Sequence, residues 1–436
     1  MEHQEVTGKK RWTKVVMVFV IVVTILATIV AVGLNKTDLP EAARSLDKNR
    51  EAAVKQGLFM SNDDVQKYLT VDDADNGASL LQPLLELPKK YKWDDYEKLT
   101  PAMVTAHQAE FDAALAKIEL ASTKKRVVYT RNWTNPIDTL FPEYASLKAW
   151  TKLLCKMTEF ARADNQPEKA KRYLHAAAFV ATTADDEGVL IAMLVRIACQ
   201  SIVERELRED VQERGADPRW RDAIESTLKV LDQPYDWHTA MAMEHWFALS
   251  SVDLVIKSPE AFYDGMGGGS APSELKYGRF LPMFKTANLS RIEEYYSKLT
   301  ASLPKDANDF MAAEKAFDSF ESATSKSGLS YTILNLVAPI FTQIPRAVGK
   351  EIATRDALYQ ACAALDTHAD LSKGLSLKNH RIDLDGNEIR VKKKGAEWII
   401  YSIGPNETDE GGLDQPKKPS SSVGRNYDWV IHLPKM

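Results

Sequence analysis

His238, Glu244 and His245 come nearest, by type and spacing, to a metal or acid–base site. His238 and His245 are seven positions apart, two helical turns along one face. That is a long reach for one shared ion, and the HExxH spacing of zinc proteases is absent. Packing and surface roles are therefore expected for them. Asp185-Asp186-Glu187 gathers three acids, a pattern suited to a turn or to the positive end of a helix. Gly265 to Gly269 (GMGGG) runs into Ser-Ala-Pro, not into a helix-opening Lys-Ser/Thr, and neither GxSxG nor GxGxxG occurs. Cys155, Cys199 and Cys362 each sit within an apolar helical pattern, with no CxxC and no His at metal-ligand spacing. Buried free thiols are expected, with a disulfide between two of them as the alternative in an oxidising compartment. No catalytic residue is assigned on this basis; missing motifs weaken an enzyme reading without removing it.

The elements around these residues are mainly helical. Apolar residues recur with a helical period at Leu147, Trp150, Leu154, Met157 and Ala161. The DNQP turn at 164–167 breaks that helix, and Ala170, Leu174 and Ala177 line the next one. Further helices are expected to about Glu213, through Ile224 to Leu231, through Met241 to Val252, near 287–302 and 306–324, and over 350–366. Earlier, Pro40 to Gly57 reads as a charged helix, Ser61 as the N-cap of NDDVQKYL, and 101–119 as one helix. The stretch 331–344 (YTILNLVAPIFTQI) is apolar but too short to span a bilayer. A buried, Pro-kinked segment, or a partner-docking or membrane-touching surface, would each account for it.

Val15 to Leu34 is an uncharged apolar run whose only polar side chains are Thr24 and Thr28. At about 1.5 Å per residue it matches a hydrocarbon core of roughly 30 Å. Lys9, Lys10, Arg11 and Lys14 crowd its N-terminal side, so the positive-inside rule places the N-terminus in the cytoplasm and the bulk of the chain outside. A cleaved signal peptide is the rival reading, with Ala31 and Gly33 spaced like a cleavage site.

The formal net charge is −5. Residues 1–14 carry four basic and two acidic residues and the apolar run none, which leaves −7 on the remainder. An acidic outer part without a basic stripe argues against nucleic-acid binding. Lys392-Lys393-Lys394 is too short to alter that and fits a solvated hairpin end.

The ending changes character. Glu388 to Lys393, Glu397 to Ile403 and Asp428 to Leu433 alternate as strands, the first two around Lys394-Gly395. Asp385-Gly386, then Tyr401-Ser402-Ile403-Gly404-Pro405-Asn406, Gly411-Gly412 and Asp428-Trp429-Val430 follow in order. Over about residues 382–433 this resembles the C-terminal sheet and loop of major pseudopilins of type II secretion systems. With Asn76-Gly77-Ala78 and the central helical block, it is also similar to a group of uncharacterised single-span, helix-rich bacterial proteins. The pseudopilin resemblance implies calcium held by the loop. It transfers to Asn406, where that family usually has Asp, and to Asp428, with Asp409 as a further loop acid. The insertion 413–427 separates these residues, and a solvated acidic loop is the other reading. EFARADNQPEKAKRYLHAAA resembles one tetratricopeptide helix-turn-helix unit.

The expected fold is mostly α: an N-terminal transmembrane helix, a helical-hairpin (TPR-like) body and a small antiparallel C-terminal β-sheet. Its parts are a cytoplasmic tail (1–14), the anchor (15–34), a helical stalk (35–60), a helical domain (61–264), a flexible linker (265–279), a second helical segment (280–370) and the β tail (371–436). The expected role is a membrane-anchored extracytoplasmic interaction or assembly module. It would be held in the membrane through 15–34 and would engage a protein partner. An envelope hydrolase, or a component beside secretion or pilus-type machinery, are the alternatives.

Overall fold

The computed structural model describes residues 37–133, 141–260, 262, 271–306, 308–324, 328–338, 343–367, 383–395, 397–403, 408–413 and 428–434. The apolar run 15–34 lies outside them, as do Asn406 and the glycines at 265–269. The described chain is mostly helical, with one small three-stranded antiparallel sheet. Among the described residues no helix is long and apolar enough to cross a membrane. Two compact units are present, each built from separate stretches of chain: Met1–Gly57 with Ala248–Lys298 and Phe320–Pro339, and Leu58–Phe247 with Leu299–Ser319 and Ile340–Met436.

In the first unit, the expected helix from Pro40 to Gly57 is divided at Ser45 into Leu39–Arg44 and Leu46–Lys55. The buried Asn288 side chain ties this unit together. It donates to Leu329 O (2.9 Å) and accepts from Ile333 N (2.9 Å), satisfying main-chain groups that burial would leave costly. Ile333 and Leu334 are wholly buried, so residues 331–338 form a packed turn and the short helix Leu334–Val337. Ser273–Gly278, placed in the linker by composition, is a short helix.

The long helix Phe284–Ser302 lies mainly in the first unit, and the second unit holds most of the others. They are labelled α1 (Gln108–Ala121), α2 (Glu143–Ala163), α3 (Pro167–Thr182), α4 (Leu190–Arg214), α5 (Pro218–Leu231), α6 (Trp237–Lys257, which starts here) and α7 (Gln343–Thr367). Local chemistry sets many of their ends. Ser61 caps Asn62–Leu69 as expected, and Asp64 answers it to complete a reciprocal capping box. Pro167 and Pro218 open α3 and α5, where the missing N–H costs nothing. Asn165, at φ 52°, turns the chain from α2 to α3, an uncommon conformation that Asn tolerates better than most residues. α7 starts seven residues before the expected 350 because Pro345 falls in its first turn, where proline is tolerated. The helix expected over 101–119 is instead Pro101–Thr105 followed by α1.

α2 and α3 pack as a hairpin, with Ala170, Ala177, Ala178 and Ala181 fully buried. Small side chains on α3 allow close helix approach; α3 also packs on α4 and α5. Trp93 meets Phe111 and Trp150 edge-on at 5.8 and 6.3 Å, and the Trp150 indole donates to Leu84 O. Truncating such a ring typically costs about 3–5 kcal/mol.

The sheet runs β1 (Arg390–Lys394), β2 (Glu397–Ser402), β3 (Trp429–His432). Gly395, at φ +65°, makes the hairpin turn, pairing Lys394 with Glu397. Ile400 opposite Ile431 joins the helical core beside α7. Ile399, Tyr401 and Val430 form the other face, and Gly412 approaches it so closely that a Cβ there would lie 2.3 Å from the Ile399 methyl.

Candidate functional site

The site begins with an extended strip, Arg126 to Trp133, that follows α1. The Asn76 side chain pairs with Val128 like a neighbouring strand: Nδ2 donates to Val128 O (2.8 Å), and Oδ1 accepts from Val128 N (3.0 Å). Oδ1 also accepts from Ala78 N (3.0 Å). Gly77 is needed for this approach, since a Cβ there would lie 3.1 Å from Val127 Cγ2.

The acid triplet holds the strip from the other side. Asp186 Oδ2 accepts from Val127 N (2.6 Å), and the Arg126 guanidinium donates to Asp186 O (2.5 Å) and Tyr68 O (2.8 Å). Glu187 accepts from Tyr129 N (2.9 Å) and pairs with Arg131 (2.6 Å), which also bonds Glu143. Asp185 pairs with Arg196 (3.3 Å). Burial pushes these carboxyls up despite their partners: Asp185 to about 7, Asp186 to about 6 and Glu187 to about 7. The triplet is thus a turn, as expected; the first amide of α4 is met instead by Glu244, which accepts from Leu190 N (3.2 Å).

Between the strip, α3 and the end of α5 lies a cleft of about 810 Å³. Lys124, Arg126, Arg172, His175 and Lys229 line it, together with Asp185, Asp186 and Asp236. Arg172 is paired with Glu119, and Asp236 accepts from Thr239 N and Oγ1 at the start of α6. Lys124 donates to Ala74 O (2.8 Å) and Arg126 to the two carbonyls above, so main-chain oxygens position both cations, and Arg126 also offsets part of the burial cost of the Asp186 carboxylate. Arg126 also stacks on the Tyr68 ring at 4.4 Å. His175 meets Ser226 Oγ at 2.8 Å, and burial, with Lys171 nearby, lowers its affinity for a proton. Arg196 reaches from the cleft into the interior, stacking on Tyr235, whose hydroxyl meets Gln200 and Glu351.

The other residues singled out by sequence go elsewhere. His245 is buried with Nδ1 3.0 Å from Phe59 O, while His238 is exposed, so they share no site. Cys155, Cys199 and Cys362 are buried and free, and burial pushes all three thiols up, Cys199 to about 11. In the tail, Asp428 accepts from Gly412 N (2.6 Å) and Leu413 N (3.2 Å). Asp409 meets Arg390 (3.0 Å) and the Tyr401 hydroxyl (3.2 Å), and Arg390 also pairs with Asp383 and Asp385. Asp409 and Asp428 therefore have protein partners, and Asn406 lies outside the described residues. Among the described residues no group of three or more His, Cys, Asp or Glu is placed to hold a metal.

Arg131, Arg196 and Arg126 are not singled out by sequence, since each is one basic residue in an ordinary context; Asp185-Asp186-Glu187 reads only as a cap or turn. Comparison with known protein families, curated proteins and solved structures finds no match.

Proposed function

We propose that this chain is a single-pass membrane protein, anchored through residues 15–34 with its N-terminus in the cytoplasm. Its helical-hairpin, TPR-like body acts outside as an interaction or assembly module. The cleft beside Arg126 is the docking site, and its partner presents an acidic segment.

The charge balance of the cleft carries this reading. Lys124, Lys125, Arg126, Arg172, Arg196 and Lys229 line the cleft against Glu119, Asp185, Asp186 and Asp236, six cations to four acids. Burial keeps Asp185 and Asp186 partly protonated near neutral pH, which tilts the cleft further towards positive. A cationic cleft on an otherwise acidic outer chain concentrates field where a complementary segment would enter.

The test uses full-length protein, gentle crosslinking and a labelled poly-glutamate peptide. Wild type is expected to retain a partner and bind the peptide, more weakly as salt rises. Lys124→Glu with Lys229→Glu should abolish both at unchanged melting temperature. A protein that stays alone, or one indifferent to the charge reversal, overturns the reading.

An envelope hydrolase is the second reading, favoured by two carboxyls raised to about 7 and about 6 in one cleft. Recovery of the bound peptide intact by mass spectrometry removes it for peptide substrates.

A further inference from the structure

Tyr277 and Phe280, each 73% exposed, are the most exposed large hydrophobic residues described, and Met283, 54% exposed, lies three positions on. All three belong to the first unit. They stand on a tightly packed knuckle. Gly278 packs so tightly on Phe284 that a Cβ would come within 2.7 Å of its ring, and Leu281 N closes a turn onto Gly278 O (2.8 Å). Met283 holds φ 67°, an uncommon conformation for a side chain of its type, and is nonetheless turned to solvent. Arg279 lies over the Phe280 ring at 4.6 Å, and Lys276 and Lys285 flank the patch, paired with Glu260 (2.7 Å) and Asp253 (2.5 Å). Exposed aromatic and thioether groups set among bases match the boundary between headgroups and acyl chains.

Chain length says which surface covers them. Leu34 ends the apolar run, and Asp38 follows four residues later, within about 14 Å even when fully extended. The Asp38 carboxylate bonds Ser330, and Leu329, the preceding residue, lies 3.5 Å from where a Gly278 Cβ would stand. Asp38, the second described residue after the apolar run, is thus linked to the knuckle through Ser330 and Leu329.

We propose that Tyr277, Phe280 and Met283 form a second membrane contact, seated in the interface of the bilayer that holds the anchor. This rests on the anchor reading above. The contact would give a single-pass protein a fixed tilt, because two points of attachment remove the swivel that one tether allows.

The test is made on full-length protein in vesicles of phosphatidylethanolamine and phosphatidylglycerol. Phe280→Cys carries an environment-sensitive fluorophore, and the same label at Glu51→Cys, exposed in the same unit, is the control. The native thiols are buried and spared. At 280, strong quenching by spin-labelled lipid and little by iodide is expected, with the reverse at 51. Iodide quenching at 280, identical behaviour at both sites, or protection from iodide without lipid quenching overturns the proposal. Alkaline extraction of the same vesicles reads the anchor separately. A protein retained after extraction but water-facing at 280 keeps the anchor and loses the contact. A protein that is extracted and water-facing at 280 loses both. Lipid quenching at 280 in an extractable protein keeps the contact and removes the anchor.

Discussion

Asn76 pairs with Val128 through both its amide oxygen and its amide nitrogen, across 52 positions of sequence. One side chain thereby takes the place of a neighbouring strand for the segment that forms a wall of the cleft. Asn76→Ala leaves the main-chain groups of Val128 without these partners and is expected to destabilise the second unit by about 2–4 kcal/mol. A lower urea midpoint measures the loss. Asn76→Asp should recover only part of it, since a carboxylate cannot donate to Val128 O.

Gly188 sits at φ +70°, and a Cβ there would lie 2.6 Å from Thr239 Cγ2 and 3.1 Å from the Tyr68 hydroxyl. Gly57, at φ +75°, has open space around it. Gly57→Ala should therefore cost only the backbone strain, about 1 kcal/mol, and Gly188→Ala at least twice that. Equal melting temperatures for the two variants would contradict the close contact.

Arg131 is the common partner of Glu143 and Glu187, all three buried. Removing the cation leaves two acids together, so Arg131→Met is expected to cost about 3–5 kcal/mol. Adding Glu143→Gln and Glu187→Gln should recover most of it. A triple variant no more stable than the single one would show that the guanidinium's packing on Phe141, 4.6 Å away, matters more than its charge.

Asp185, Asp186 and Glu187 have folded-state pKa values above the ordinary carboxyl range. Near pH 3 both the folded and unfolded chains hold most of these protons. As pH rises to about 7 the unfolded chain releases them first, so stability falls across that window. Surface acids held low by partners, such as Asp217 beside Arg219 and Asp222 beside Lys171, act in the opposite sense at more acid pH. Melting temperature is expected to be higher at pH 5 than at pH 7.5. Asp185→Asn should flatten the slope, and an unchanged slope would remove Asp185 from the account.

What was legible in the sequence depended on distance along the chain. The Ser61 cap, the turn at 164–167 and the hairpin at Gly395 are set by residues within a few positions of one another, and they stand where the pattern put them. The divided helix at Ser45 and the early start of α7 were less legible, because apolar spacing alone does not report where packing interrupts or extends a turn. The cleft was not legible: the acids at 185–187 read only as a turn or helix cap, and the basic residues that line it come from distant segments.

By itself the sequence determined a mostly helical chain, a small β ending and an apolar run of bilayer length, since periodicity and composition are local properties. Tertiary structure alone decided that Asp186 would meet Val127 and Glu187 would meet Arg131, and that Lys124 and Arg126 would rest on carbonyls. It also placed Arg390 among the tail's aspartates. Charge pairing between segments more than fifty residues apart has no signature in either segment. It follows from which faces the buried core brings together.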